Sequence, residues 1–425
     1  MRTKLRVVPR RRWSTRRLGA VALAAGSLGA ASAVGAGGAT AATPSRTGTA
    51  THRLPAPIEA KVRQTIRQFQ KATRAPGVLV GIWSPKGTFV SASGLADLTT
   101  GARLRPDMQF KIASQTKAFT GNLVLQLVGE GKVSFDDPIS KWVEGVPNGD
   151  QVTIRQLLSM RSGLDTGFLL TPGAVEKLAT GCTEQELLTA GASLPPIAPP
   201  GAKWWYSNYG YDLLGRVVEV VTGQNVSTAI QQRIARPLGL RRTSLPTSGN
   251  GLTVPFTHGY GTGDVASTRA PGVASDDMTP LHQSCLGASG GMVSTLADLR
   301  VWSRALATGA LLKPAVWNEA KKGAFPYAFT DDYNGPGLWR QGLGFVMSGD
   351  FIGKEGSEPG YESITMYSPS RRTTIEVMAT KQGNAITPTR MFQALAMDLY
   401  GRNIGFGLTP AQAMAPTYTG EPSEG

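Results

Sequence analysis

The hydrophobic period of this 425-residue chain changes twice along its length, and that change limits the folds open to it. Near the start, Val78-Leu-Val-Gly-Ile-Trp83 and Thr88-Phe-Val-Ser-Ala-Ser93 flank Ser-Pro-Lys-Gly, the pattern of two paired strands. From Gly342 the strand pattern returns in 343–347, 363–367 and 373–379, the last two joined across Ser-Pro-Ser-Arg. Between these ends the period is helical: a helix opens behind the Thr153 cap, and others are expected at 184–190, 210–222, 226–235 and 295–307. Helical runs at 58–72 and 387–399 flank the strands. The expectation is an α+β fold of two lobes, in which an antiparallel sheet assembled from both chain ends is flanked by helices and a mostly helical lobe is inserted. One domain is expected over 55–405, with an α/β lobe at about 55–110 and 325–405 and the helical lobe at about 111–324. Residues 406–425 read as a disordered tail.

The first residues read as a targeting signal. Arg2, Lys4, Arg6, Arg10, Arg11, Arg12, Arg16 and Arg17 precede Leu18-Gly-Ala-Val-Ala-Leu-Ala-Ala, and small residues suited to signal peptidase follow around Ala39–Ala42. Residues 1–42 are therefore expected to be a signal peptide for export, by the general or the twin-arginine route, and 43–54 a flexible leader. Those eight cations are more than half of the net charge of +15, so the charge excess marks the signal rather than a nucleic-acid surface. No later apolar run is long enough for a stable membrane span after cleavage. Cys182 and Cys285 are free to pair in an oxidising compartment, and the sequence leaves the bridge open. His52, His258 and His282 are too few and too scattered for a metal site.

The chemistry is concentrated in Phe110-Lys-Ile-Ala-Ser114-Gln-Thr-Lys117 and the helix that follows, where Phe119, Leu123, Val124, Leu127 and Val128 recur at helical spacing and are expected to bury one long face. Ser114 falls in the first turn, where N–H groups lack intrahelical partners and the helix dipole favours an anionic oxygen. Lys117 lies one turn along the same face. A partly desolvated lysine loses its proton near neutral pH and can then take the serine's. The spacing alone is weak, because a chain of this length contains on the order of one Ser-x-x-Lys by chance.

Two further stretches add to it. Pro199-Pro-Gly-Ala-Lys-Trp-Trp-Tyr206-Ser-Asn208 is a constrained loop, in which a phenol beside an ammonium group can have a lowered pKa and shuttle a proton, and an amide can orient Lys117. Lys354-Glu355-Gly356-Ser357 lies on or beside a strand, where glycine permits close approach and the Ser357 N–H can join that of Ser114 as an oxyanion hole. Gly287-Ala-Ser289-Gly-Gly291 matches a nucleophile elbow, but a poor strand precedes it and no histidine follows residue 282, so it reads as a turn before a capped helix.

Ser114-x-x-Lys117, Tyr206-x-Asn208 and a late Lys-x-Gly, in this order, resemble the penicillin-recognising serine hydrolases. The stretch from about 55 to 400 looks like the branch of serine-type D-alanyl-D-alanine carboxypeptidases, class C beta-lactamases and related esterases. The resemblance implies Ser114 as nucleophile, Lys117 as its base partner and Tyr206 as proton relay. Asn208 would position Lys117 and substrate, and Lys354, Glu355, Gly356 and Ser357 would line the substrate strand. It implies no cofactor, and a small peptide, ester or beta-lactam as substrate. One position departs: where relatives carry a threonine or serine for a substrate carboxylate, this chain has Glu355, which repels such a group unless protonated, turned away or paired with Lys354. The expected function is an exported serine hydrolase that forms an acyl-enzyme on Ser114 and carries out D-alanyl-D-alanine carboxypeptidase-type hydrolysis of peptidoglycan D-amino-acid peptides. A carboxylesterase or beta-lactamase is the alternative, and an inactive binding protein comes last.

Overall fold

The protein is described by a computed structural model, covering residues 52–261, 276–326, 339–383, 386–402, 404–406 and 409–414. The expected signal peptide lies outside the described residues, as does the leader up to 51. The leader's last residues are already packed: Arg53 bridges to Thr88, and Leu54 is buried.

The two chain ends meet as expected in one antiparallel sheet. Its main strands are β1 (Gly77–Ser84), β2 (Gly87–Gly94), β3 (Phe351–Glu358), β4 (Tyr361–Ser368) and β5 (Thr373–Ala379), in the order β2-β1-β5-β4-β3. The short strands Val346–Ser348, Trp339–Gln341 and Phe325–Pro326 continue it beyond β3. The join between the ends is β1 on β5, with Val78 opposite Ala379. Every residue of β4 and β5 is buried, because both sheet faces are covered. On one face Val80, Ile364 and Val377 pack with helices α1 (Ala56–Thr73) and α5 (Pro388–Tyr400). On the other, Leu79, Ile352 and Met378 join the larger core, which runs through α4 (Leu296–Thr308) into the helical lobe.

The fold differs from the sequence expectation in four further places. The helix after Ser114, α2 (Thr116–Gly129), is buried on nearly all sides rather than along one face, because helices α3 (Asn208–Thr222) and 287–290 and strand β3 pack round it. The strand expected at 343–347 begins only at Val346, since Gly344, with φ +92°, turns the chain against Gly121 of α2. Helices at 174–180 and 314–322, and a ladder of Phe110–Lys111 with Val293–Ser294, gave no periodic signal. The domain also does not stop at 405. Phe406 packs against Phe351 and Phe392, and the turn Pro410–Ala413 is tied down by Arg390 Nε, which donates to the Ala413 carbonyl at 2.9 Å. Residues 415–425 of the expected tail lie outside the described residues.

Cys182 and Cys285 form a disulfide that fastens the helical segment 174–192 to the turn at 283–285. Closing a loop of 103 residues stabilises the fold by about 4–5 kcal/mol in the chain-entropy account. None of the described helices is long and apolar enough to cross a membrane.

Glu376 of β5 is fully buried, and neither carboxylate oxygen has a hydrogen-bond partner among the described residues. Burial, with Asp298 nearby, pushes its pKa well above the usual value. Its ionisation therefore costs stability as pH rises from the unfolded carboxyl's range towards its folded pKa. Glu376→Met is expected to raise stability by about 1–3 kcal/mol at neutral pH. The gain should shrink as pH falls towards 4 in melting curves; a gain independent of pH would show that another cause operates.

Candidate active site

The turn carrying Ser114 is clamped before the helix begins. Phe110–Lys111 pair with Val293–Ser294, the Ile112 N–H donates to the Met292 carbonyl at 3.0 Å, and Ala113 takes φ +47°. Ala113–Gln115 then form a 3-10 turn that runs into α2, with Thr116 Oγ1 donating to the Ala113 carbonyl at 2.6 Å. A left-handed alanine is a strained conformation that persists only where surroundings enforce it, and here it precedes the candidate nucleophile. Strand β3 supplies the other wall. A Cβ at Gly356 would come 2.2 Å from the Ile112 carbonyl oxygen and 3.0 Å from the Ser114 nitrogen, so only glycine lets the strand lie this close. Ser114, Asn208 and Ser357 line one cavity of about 100 Å3 with Phe168, Leu169 and Leu286.

Lys117 lies beneath Ser114, 1% exposed. Its Nζ is 3.0 Å from Ser114 Oγ, 2.7 Å from Asn208 Oδ1 and 2.7 Å from the Ser289 carbonyl oxygen. Tyr206 Oη lies 2.6 Å from Ser114 Oγ. The loop 199–206 ends at the α3 cap: Ser207 accepts from the Gly210 N–H and donates to the Asp165 carbonyl, leaving Tyr206 just before the helix and Asn208 as its first residue. Asn208 is thus helical rather than on the loop, and its Nδ2 reaches Thr166 Oγ1 at 3.3 Å.

The electrostatics divide the two proton carriers. Burial, and then the Lys354 cation, hold the Lys117 pKa well below a free lysine's. Burial pushes Tyr206 the other way, which reverses the expected lowering and keeps the phenol protonated. A neutral Lys117 amine has two protons and one lone pair, which fit donation to Asn208 and Ser289 and acceptance from Ser114. Tyr206 is then left to donate to Ser114 Oγ.

Lys354 and Glu355, each 4% exposed, form a buried ion pair, so of the three fates open to Glu355 it is paired. The Lys354 ammonium also lies 5.8 Å from the centre of the Tyr206 ring. The sequence reading missed two participants. The carbonyl of Ser289, in the glycine-rich motif set aside as an elbow, holds Lys117. Asp212 is buried beside it and acts electrostatically on Lys117. Its position four residues after Asn208 on a helix was the signal available.

A serine hydroxyl between a buried amine of lowered pKa and a protonated phenol, on a helix start facing a glycine-bearing strand, defines a serine hydrolase of the two-lobe type. The chain matches the beta-lactamase family over residues 62–396 and belongs to it. Esterase EstB of Burkholderia gladioli is 35% identical over 164 residues, which cover 35% of this chain and 42% of that protein. Penicillin-binding protein 4 of Amycolatopsis lactamdurans is 31% identical over 189 residues, 43% of this chain and 48% of that one. These matches span less than half of either relative. Among solved structures, a D-stereospecific amidohydrolase from Streptomyces sp. superposes with a TM-score of 0.68 at 25% identity, covering 81% of this chain and 99% of that one.

Because a methyl group at position 356 must displace the Ser114 turn, Gly356→Ala is expected to lower kcat for an activated ester at least tenfold while the melting transition is kept. Unchanged kcat would mean that the strand and the turn separate without consequence.

Proposed function

We propose that the protein is an exported hydrolase that forms an acyl-enzyme on Ser114 and cleaves amides or esters of D-amino-acid-type acyl groups that lack a carboxylate beside the scissile bond. The observation that carries the substrate choice is the buried Lys354–Glu355 pair. With its charge matched, Lys354 offers no free cation to a substrate carboxylate. The cavity at Ser114 adds to this: its described lining contains no lysine or arginine, while Asp212 and Glu358 are among its residues. Likeness to an esterase and to a D-stereospecific amidohydrolase supports the same class.

In this reading Lys117 takes the Ser114 proton as Oγ attacks the carbonyl carbon. The oxyanion is received by the N–H groups of Ser114 and Ser357. Tyr206 gives its proton to the departing amine or alcohol and regains one from the Lys117 ammonium. Water then enters by the reverse route and releases the acid.

D-alanyl-D-alanine carboxypeptidase action on peptidoglycan peptides is the second reading. It is favoured by Lys354 on the strand beside the nucleophile and by likeness to a penicillin-binding protein.

Intact mass during turnover of a D-amino-acid ester should show an acyl adduct on the native protein and none on Ser114→Ala, whose rate falls by about a thousandfold or more. Undiminished turnover by Ser114→Ala would sink the assignment. Glu355→Thr separates the substrate readings. It is expected to raise kcat/KM for a D-alanyl-D-alanine peptide relative to a D-amino-acid amide by about tenfold or more, as Lys354 is freed. No change in that ratio would remove the pair as the determinant.

A further inference from the structure

Asp212 lies one turn along α3 from Asn208 and is 7% exposed. The Ser289 N–H donates to its Oδ1 at 3.1 Å, and the carbonyl of the same Ser289 accepts from Lys117. Two backbone groups of one residue thus join the carboxylate to the amine. The fit is close: a Cβ at Gly287 would come 3.0 Å from Asp212 Oδ1. Yet the carboxylate is not sealed into the core, for Asp212 lines both the Ser114 cavity and a second one of about 210 Å3 behind it, bounded by Cys182, Glu184 and Glu219.

We infer that Asp212 is the buried counter-charge for the ammonium that forms on Lys117 during acyl transfer, held in place through the backbone of Ser289. It is a positioning residue, acting through Lys117 without touching substrate, and the inference rests on the reading of Lys117 as the base. Titratable groups face Asp212 from several elements. Lys117 faces it from α2, with Glu355 and Lys354 acting on that lysine from β3. Glu184 faces it from the helix 184–192, Tyr206 from the loop just before its own helix and Tyr209 from that helix's first turn. Further along α3, Arg216 pairs with Glu219 at 3.1 Å and lies 3.9 Å from Glu184, so the neighbouring acids share that cation. Lys117 is the cation acting on Asp212; burial raises the Asp212 pKa to about 7, and Lys117 opposes the rise.

The test is Asp212→Asn, whose amide oxygen can still accept from the Ser289 N–H while the charge is gone. With a neutral ester as substrate, the native acid-side inflection in kcat/KM belongs to the Lys117–Asp212 pair. Without the negative charge Lys117 is a weaker base. The inflection should move down by about one pH unit and kcat should fall about tenfold or more, with KM nearly unchanged. Asp212→Ala, which also abandons the Ser289 N–H, should show the same profile and a lower melting temperature. If Asp212→Asn does not fold, the smaller Asp212→Ser takes its place with the same expected profile. An Asp212→Asn profile that overlays the native one, with only Asp212→Ala impaired, overturns the inference and leaves Asp212 a structural staple. That outcome differs from failure of the catalytic reading itself, in which Ser114→Ala would keep its turnover.

Discussion

The burial of one amine organises this site. Lys117 is enclosed, and its nitrogen is met by a hydroxyl from the turn that leads into its own helix, an amide oxygen from α3 and a carbonyl from the glycine-rich turn at 287–291. Those partners come from three separate segments, so the position of the amine records the docking of all of them. Holding an ammonium there would be costly, and the same cost that depresses its proton affinity makes it useful as a base. The phenol of Tyr206 is buried by the same packing and responds oppositely, because its charged form is the one without the proton. A single desolvated environment therefore sets one group to accept a proton and its neighbour to give one.

The strand beside this pair uses charge differently. Lys354 and Glu355 are adjacent on β3 and pair with each other, leaving one carboxylate oxygen of Glu355 without a hydrogen-bond partner among the described residues. In the reading proposed above, neutralising this cation beside Ser114 removes an anchor that a carboxylate-terminated substrate would use. In the proposed reading the apolar wall formed by Phe168, Leu169 and Leu286 then takes a larger share of recognition.

Much of this was legible because it is local. Three residues of helix place Lys117 under Ser114, a Pro-Pro-Gly loop followed by a capped helix places Tyr206 and Asn208, and the change of period places β1, β2, β4 and β5. What the sequence hid depends on which segments meet. The carbonyl of Ser289 has no side-chain signature at all. The pairing of Lys354 with Glu355, and the direction of the Tyr206 shift, depend on how deeply both are covered. The expected one-sided burial of α2 fell short because the sheet and two helices surround it. The tail's attachment rests on an arginine, Arg390, buried to reach the Ala413 carbonyl, which no apolar pattern announces.

The sheet's connectivity also bears on how the protein is made. The hairpin of β1 and β2 leaves the ribosome early, but the strand that covers its inner edge, β5, follows about 300 residues later, with Val78 waiting for Ala379. At about 5–20 residues per second that interval is on the order of half a minute. Throughout it a strand as apolar as Val78-Leu-Val-Gly-Ile has an open edge, the situation in which nascent chains associate with one another. The inserted helical lobe, complete before β5 arrives, sets the length of that exposure.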